Sequence, residues 1–91
     1  MPETTFDEIW ERIVTHTGED FQTITGLEFT YRIVGDGFFP SRTDYRIPKS
    51  DFKQAYRAVP ISGPGEINNI VRGPAYVWAV LHDDRISSGE W

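Results

Sequence analysis

No cysteine occurs in this chain, so whatever it folds into is held by non-covalent contacts, without a disulfide staple. Disulfides, thiolate-held zinc and a cysteine nucleophile are excluded together. Its 91 residues suit a single domain spanning 1–91. A domain of this size buries only about 60–65% of the surface that its unfolded chain exposes. Each large core side chain therefore counts. The sequence supplies six Phe, four Tyr and three Trp, each able to bury roughly 150–250 Å². Small secreted domains are usually stapled by disulfides, so their absence points to a reducing, cytoplasmic setting. The opening Met1-Pro2-Glu3 does not read as a signal peptide. The longest apolar run, Ala75 to Leu81, falls far short of the roughly 20 residues of a membrane span. No membrane partner is expected.

Hydrophobic spacing and turn residues divide the chain into short elements. Phe6, Ile9, Trp10, Ile13 and Val14 form a helical stripe. Thr5 and Glu8 make a capping box ahead of it, Glu8 and Arg12 suit an i,i+4 pair, and Gly18 is a natural stop. Phe21 to Thr25 is strand-like. Leu27, Phe29, Tyr31 and Ile33 then alternate with Glu28, Thr30, Arg32 and Val34, the period of a half-buried strand. Gly35-Asp36-Gly37 is a hairpin turn. Phe38-Phe39 opens a third strand that Pro40 interrupts, and Tyr45 to Ile47 is a short edge piece ended by Pro48. Ser50 is positioned to cap a second helix whose inward side is Phe52, Ala55, Tyr56 and Val59. A third helix is predicted over 66–72, with Ile67, Ile70 and Val71 inward. Residues 75–82 are apolar on every side; Pro74 favours helix there and the β-branched content favours strand, with helix the preferred reading. Residues 87–91 read as a frayed tail. The expected fold is α+β: an antiparallel meander of about three strands packed against an N-terminal helix and C-terminal helices. Phe6, Ile9, Trp10, Ile13, Phe29, Tyr31, Ile33, Phe52, Tyr56, Ile70, Val77, Trp78 and Leu81 are the expected core.

Catalytic signatures are missing from the sequence. His82-Asp83-Asp84 lacks the further ligands that a metal-dependent hydrolase brings to such a group, and the bland reading, a polar helix end, is favoured. There is no Gly-x-Ser-x-Gly elbow. Gly63-Pro64-Gly65 meets Glu66 where a phosphate loop would present Gly-Lys-Ser/Thr. A helix-turn-helix across Gly73-Pro74 fails because Ala75 to Leu81 offers almost nothing polar to a base edge. No enzyme, no cofactor, no metal and no small-molecule substrate is expected.

Charge is the informative feature. The net charge is −5, but it is unevenly spread. Residues 1–28 hold seven acids against one Arg, residues 29–60 hold six basic residues against three acids, and residues 61–91 hold four acids against two Arg. In the basic middle, Lys49, Lys53 and Arg57 recur at i, i+4 and i+8, along one helix side. Arg42 and Arg46 approach from the preceding segment, with Tyr45 between them and Ser41 and Thr43 as hydroxyl donors. Cations, small donors, one aromatic and a helix start suit phosphate contact. The leading expectation is a non-enzymatic binding module that contacts nucleic-acid phosphates through Arg42, Arg46, Lys49, Lys53, Arg57, Ser41, Thr43 and Tyr45. Asp44 and Asp51 dilute the patch, and a solvated helix face is its bland explanation. The alternative is a protein–protein or homodimerisation module that pairs the acidic first helix with the basic patch.

Overall fold

Thr5 starts the first helix, α1 (Phe6–Thr15). Its extended backbone precedes the first turn, and its hydroxyl accepts the Glu8 backbone N–H at 3.4 Å, relieving one of the donors that every helix start leaves unpaired. Ile9, Trp10 and Ile13 are buried. Val14, counted in the stripe, is exposed. Eight residues at about 100° each carry it about 80° past Phe6, off the buried face. Arg12 does not meet Glu8. It donates to the Ile86 carbonyl at 2.8 Å and to Glu90 at 2.9 Å, tying α1 to the end of the chain. The computed structural model describes residues 4–91.

The long strand expected over 27–34 divides at Thr30. Strands β1 (Phe21–Gln22) and β2 (Glu28–Phe29) form one antiparallel pair. Strands β3 (Tyr31–Val34), β4 (Gly37–Pro40) and β5 (Ile47–Pro48) form a separate three-stranded antiparallel sheet with β4 central. At the break, Ser41 donates its N–H to the Thr30 carbonyl at 2.8 Å, and its hydroxyl accepts the Thr30 N–H at 3.0 Å. A side-chain oxygen thus replaces the carbonyl that a regular ladder would offer, and the chain leaves one pairing for the next. Leu27 sits in the tight 23–27 turn, where Thr23 bonds it twice, and is exposed. The hairpin joining β3 to β4 pairs Val34 with Gly37 across Gly35-Asp36. Gly35 has φ +59°, the positive value such two-residue turns require.

Helix α2 (Lys49–Tyr56) follows β5 directly. Beyond it, the helix predicted over 66–72 is a single 3-10 turn, Pro64–Ile67. Pro64 at the first position draws the start two residues forward, while Asn68 and Asn69, weak helix formers, do not carry it on. Ile70 is exposed and so is not core. Helix α3 (Pro74–Leu81) begins at left-handed Gly73, φ +61°, so the 75–82 segment is helix through the interior as far as Leu81, with His82 as its C-cap. Its strand-like composition yields to burial on most sides, with Val77, Ala79, Val80 and Leu81 enclosed. Helix α4 (Asp84–Ser87) closes the chain, capped by the Asp83 side chain.

The predicted fraying of 87–91 is corrected by its contacts. Ser87 is buried, Trp91 donates its indole N–H to the Leu81 carbonyl at 2.8 Å, and its ring meets Tyr56 edge-on at 5.4 Å. An aromatic and a charged anchor hold the segment against the rest of the fold.

Aromatics connect the layers. Trp10, Phe52, Phe38, Tyr31, Phe21, Phe29 and Tyr76 follow one another with ring centroids 4.5 to 6.1 Å apart. This path runs from α1 through α2, both sheets and α3. Tyr31 donates its buried hydroxyl to the Ile13 carbonyl at 2.5 Å; desolvation pushes that phenol's pKa well above the usual tyrosine range, so it stays a donor. The architecture is α+β, with helices at both ends of the chain. Among the described residues no helix is long and apolar enough to cross a membrane.

Candidate functional site

The start of α2 organises the basic residues, though not as the sequence suggests. Ser50 is not the cap. Pro48 occupies that position with extended backbone (φ −71°, ψ 150°) and makes no side-chain cap bond. Proline fixes φ and has no N–H to place, so the helix begins at once with Lys49. The Lys49 N–H donates to the Asp36 carbonyl at 2.8 Å, which holds the helix start against the hairpin tip.

Three of the five expected cations converge there. Arg46, Lys49 and Lys53 line one open groove of about 400 Å³, with Phe6, Asp7, Asp36, Pro48 and Ser50. Arg46 reaches it by lying across Gly37; a Cβ at Gly37 would stand 2.5 Å from the Arg46 Nε. The Lys49 ammonium lies 5.6 Å from the Trp10 ring centre, a cation–π contact that steadies its stem. Among the described residues, the ion pairs within 4.0 Å involve Arg12, His16 and Arg85, and none uses Arg42, Arg46, Lys49, Lys53 or Arg57. Asp7 and Asp36 nonetheless share the groove and lower its potential.

The remaining expected residues go elsewhere. Arg57 is the exposed C-cap of α2, one turn past Lys53 and outside the groove. Arg42 turns back to donate to the Glu28 carbonyl at 2.6 Å. Ser41 and Thr43 line a second groove with Thr30, Arg32, Phe39 and Asp44. Their hydroxyls already accept backbone N–H groups, of Thr30 at 3.0 Å and Tyr45 at 3.2 Å, though each keeps its own proton to donate. Tyr45 does not stand between Arg42 and Arg46 as an outward ring. It packs against Gly73, and Arg72 covers it, the guanidinium 5.9 Å from the ring centre. Asp51, counted as diluting the patch, instead accepts the Arg72 backbone N–H at 2.8 Å.

Two residues at this surface were not singled out by the sequence argument. Arg32 and Phe39 are cross-strand partners on the outward face of the three-stranded sheet, and the Arg32 guanidinium sits 4.7 Å from the Phe39 ring centre. Period-two alternation carries the signal: Tyr31 and Phe38 are buried, so their neighbours Arg32 and Phe39 face out.

His82 has a different task from metal binding. Its Nε2 accepts the Ile61 N–H at 3.0 Å, its Nδ1 lies 3.2 Å from the Trp78 carbonyl, and Trp78 donates its indole N–H to the Ile61 carbonyl at 2.8 Å. The two rings stack at 5.0 Å. Together they clamp both backbone groups of Ile61, which requires a neutral imidazole with its proton on Nδ1. Burial, partly opposed by the Trp78 carbonyl, lowers the His82 pKa from its ordinary value near 6.5. The unfolded chain therefore binds this proton more readily than the native one. His82 contributes full stability above pH about 6.5, and that contribution falls as pH drops from there through the lower native value. Urea unfolding of the wild type between pH 7.5 and 5 should show this loss, and His82→Gln should flatten it; an equal slope in the variant would refute the assignment.

Asp83 is occupied by Arg85, which donates to both its carboxylate oxygens at 2.8 and 2.9 Å, to Glu19 at 2.9 Å and to the Asp20 carbonyl at 2.7 Å. The Arg85 hydrogen bonds hold the Asp83 carboxyl below its usual range; those of His16 first, then Arg85, do the same for Glu19. The guanidinium also covers the Phe21 ring at 3.9 Å. This cluster joins the 19–21 segment to α4 and has a structural role.

Compared with protein-family models, with curated proteins and with solved structures, the chain matches none.

Proposed function

We propose that this domain is a non-enzymatic binding module that holds a nucleic-acid backbone through Arg46, Lys49 and Lys53. The observation that carries this reading is the meeting of three cations, none within 4.0 Å of a carboxylate among the described residues, around one open groove. Such an arrangement leaves charge to offer a partner, since none of the three is held in a close ion pair among the described residues. The flexible lysine ammoniums and the arginine fork suit phosphate oxygens. Arg57 and Arg42 flank the groove in the chain and add longer-range attraction. A cysteine-free chain fits a cytoplasmic setting for this role.

Asp7, Asp36 and the net charge of −5 keep the affinity modest, in the range of about 10⁻⁴–10⁻⁶ M typical of sequence-independent binding. Neutralising three phosphates gives a slope of log K against log salt of about −2.7 on duplex DNA and about −2 on a single strand. Fluorescence anisotropy at several salt concentrations measures that slope. Lys49→Glu with Lys53→Glu should reduce binding at least about tenfold. Lys53 is exposed and Lys49 half-buried, so circular dichroism on the double variant checks that the fold is kept. No detectable binding by the wild type at low salt would end the proposal.

The second reading, self-association, draws on Glu8 and Glu11, which are exposed on α1 and form no ion pair among the described residues. In a second copy they would face Lys49 and Lys53. Sedimentation equilibrium without ligand separates the two: a dimer that dissolves with added salt favours association, a monomer throughout favours nucleic acid.

A further inference from the structure

The cationic groove does not end at the start of α2. Arg46, which lines it, lies across Gly37, and Gly37 lies two residues from Phe39 on β4, so both occupy the same outward sheet face. Val34, across from Gly37, and Arg32, across from Phe39, share that face. The open side of the sheet therefore presents Arg32 above Phe39 and, about 7 Å further along the strand, the stem and guanidinium of Arg46. No helix covers this side at Arg32 and Val34, which are both exposed. Arg32 forms no ion pair among the described residues.

We propose that this sheet face is a stacking platform for an unpaired base, making single-stranded nucleic acid the ligand class of the domain. The inference rests on the phosphate-binding reading of the adjoining groove and narrows it. The Arg32 guanidinium lies over the Phe39 ring and is exposed, and unpaired bases stack on guanidinium planes as they do on aromatic rings. Phe39 supplies the support that keeps Arg32 from swinging freely in solvent. Arg46 then lies where the backbone of the stacked nucleotide would pass on its way to Lys49 and Lys53. A duplex cannot use the platform, because its base faces are already stacked within the helix. The charge of the face also selects this occupant over an apolar peptide: one guanidinium lies over the ring, a second crosses the same face at Gly37, and Asp44 is the one carboxylate among the residues lining the adjacent groove.

The test uses fluorescein-labelled oligo-dT and a duplex of equal length, titrated by anisotropy at low salt. The single strand should bind at least about fivefold more tightly than the duplex. Arg32→Lys keeps the charge and removes the planar group; it should lower single-strand affinity at least about fivefold and leave duplex affinity within about twofold, since the phosphate contacts that set it are unchanged. Arg32 is exposed, so an unchanged thermal melt confirms that the variant is folded. Equal affinities for the two forms, or an Arg32→Lys variant indistinguishable from wild type on the single strand, would overturn the platform while leaving the groove in place. Binding of neither form by the wild type would instead remove the phosphate-binding reading itself, and the platform with it.

Discussion

Phe38→Ala should cost about 3–5 kcal/mol of folding free energy. The ring is fully buried at the middle of the aromatic path, stacked on Tyr31 at 4.5 Å and tilted against Phe52 at 4.8 Å. Truncation removes the burial of one large side chain and two ring contacts, and it leaves a cavity bordered by other rings that cannot easily collapse. A domain of this length has a total stability of about 5–14 kcal/mol, so the variant sits near the edge of folding. Its melting temperature should fall by about 15–30 °C, measured by thermal circular dichroism together with urea unfolding. Phe39→Ala, one residue on and half-buried, is the control and should lose less than half as much. Similar losses at the two positions would mean that the alternation of β4 has been misread.

Gly73→Ala should cost about 2–5 kcal/mol, from two sources that can be separated. An L-residue in the left-handed region carries a penalty of about 1–2 kcal/mol. The added methyl would also stand 2.7 Å from the Ile47 Cδ1 and 3.0 Å from the Tyr45 hydroxyl. Ile47 is fully buried, so it has little room to yield, and overpacking of this kind adds about 1–3 kcal/mol. Gly35→Ala isolates the first source. Gly35 has a similar φ of +59°, but a Cβ there meets nothing within 4 Å. It should cost only the backbone penalty, about 1–2 kcal/mol. Equal effects of the two substitutions in urea unfolding would show that the strand–helix contact at Gly73 is looser than its distances imply.

What the sequence disclosed about the fold followed from periodicity and punctuation. The Ile9, Trp10 and Ile13 part of the α1 stripe, the Thr5 hydroxyl cap, the Gly35-Asp36 hairpin and the Gly73-Pro74 helix start are local devices, each decided within a few residues, and these are where they were expected. The departures have long-range causes. Thr30 looks like any residue in an alternating strand; only the Ser41 hydroxyl, eleven residues away, makes it the point where two sheets part. Trp91 looks like a terminal residue with nothing to hold it until Leu81 and Tyr56 are brought alongside. Ser50 has the right chemistry for a cap, but Pro48 takes the position first.

The candidate site was legible to about the same depth. Helical spacing placed Lys49 and Lys53 together, because that relation is internal to one element. Arg42 and Tyr45 were misplaced because the segment between β4 and α2 is a loop, where spacing says little about direction and the partners, the Glu28 carbonyl and Arg72, come from distant parts of the chain. Arg32 was visible as an outward strand residue, but its importance depends on Phe39 across the strand pair and on Arg46 crossing Gly37.

Tyr56 gives the molecule an unusual fastening. Its hydroxyl donates to the Thr4 carbonyl, and its ring is met by Phe6 at 5.9 Å and by Trp91 at 5.4 Å. Both extremities of the described chain are thus buttoned to one residue of α2. Terminal segments ordinarily peel away first and alone; here, releasing one loosens the grip on the other. The two segments held by Tyr56, at Thr4–Phe6 and at Trp91, should therefore open and close together.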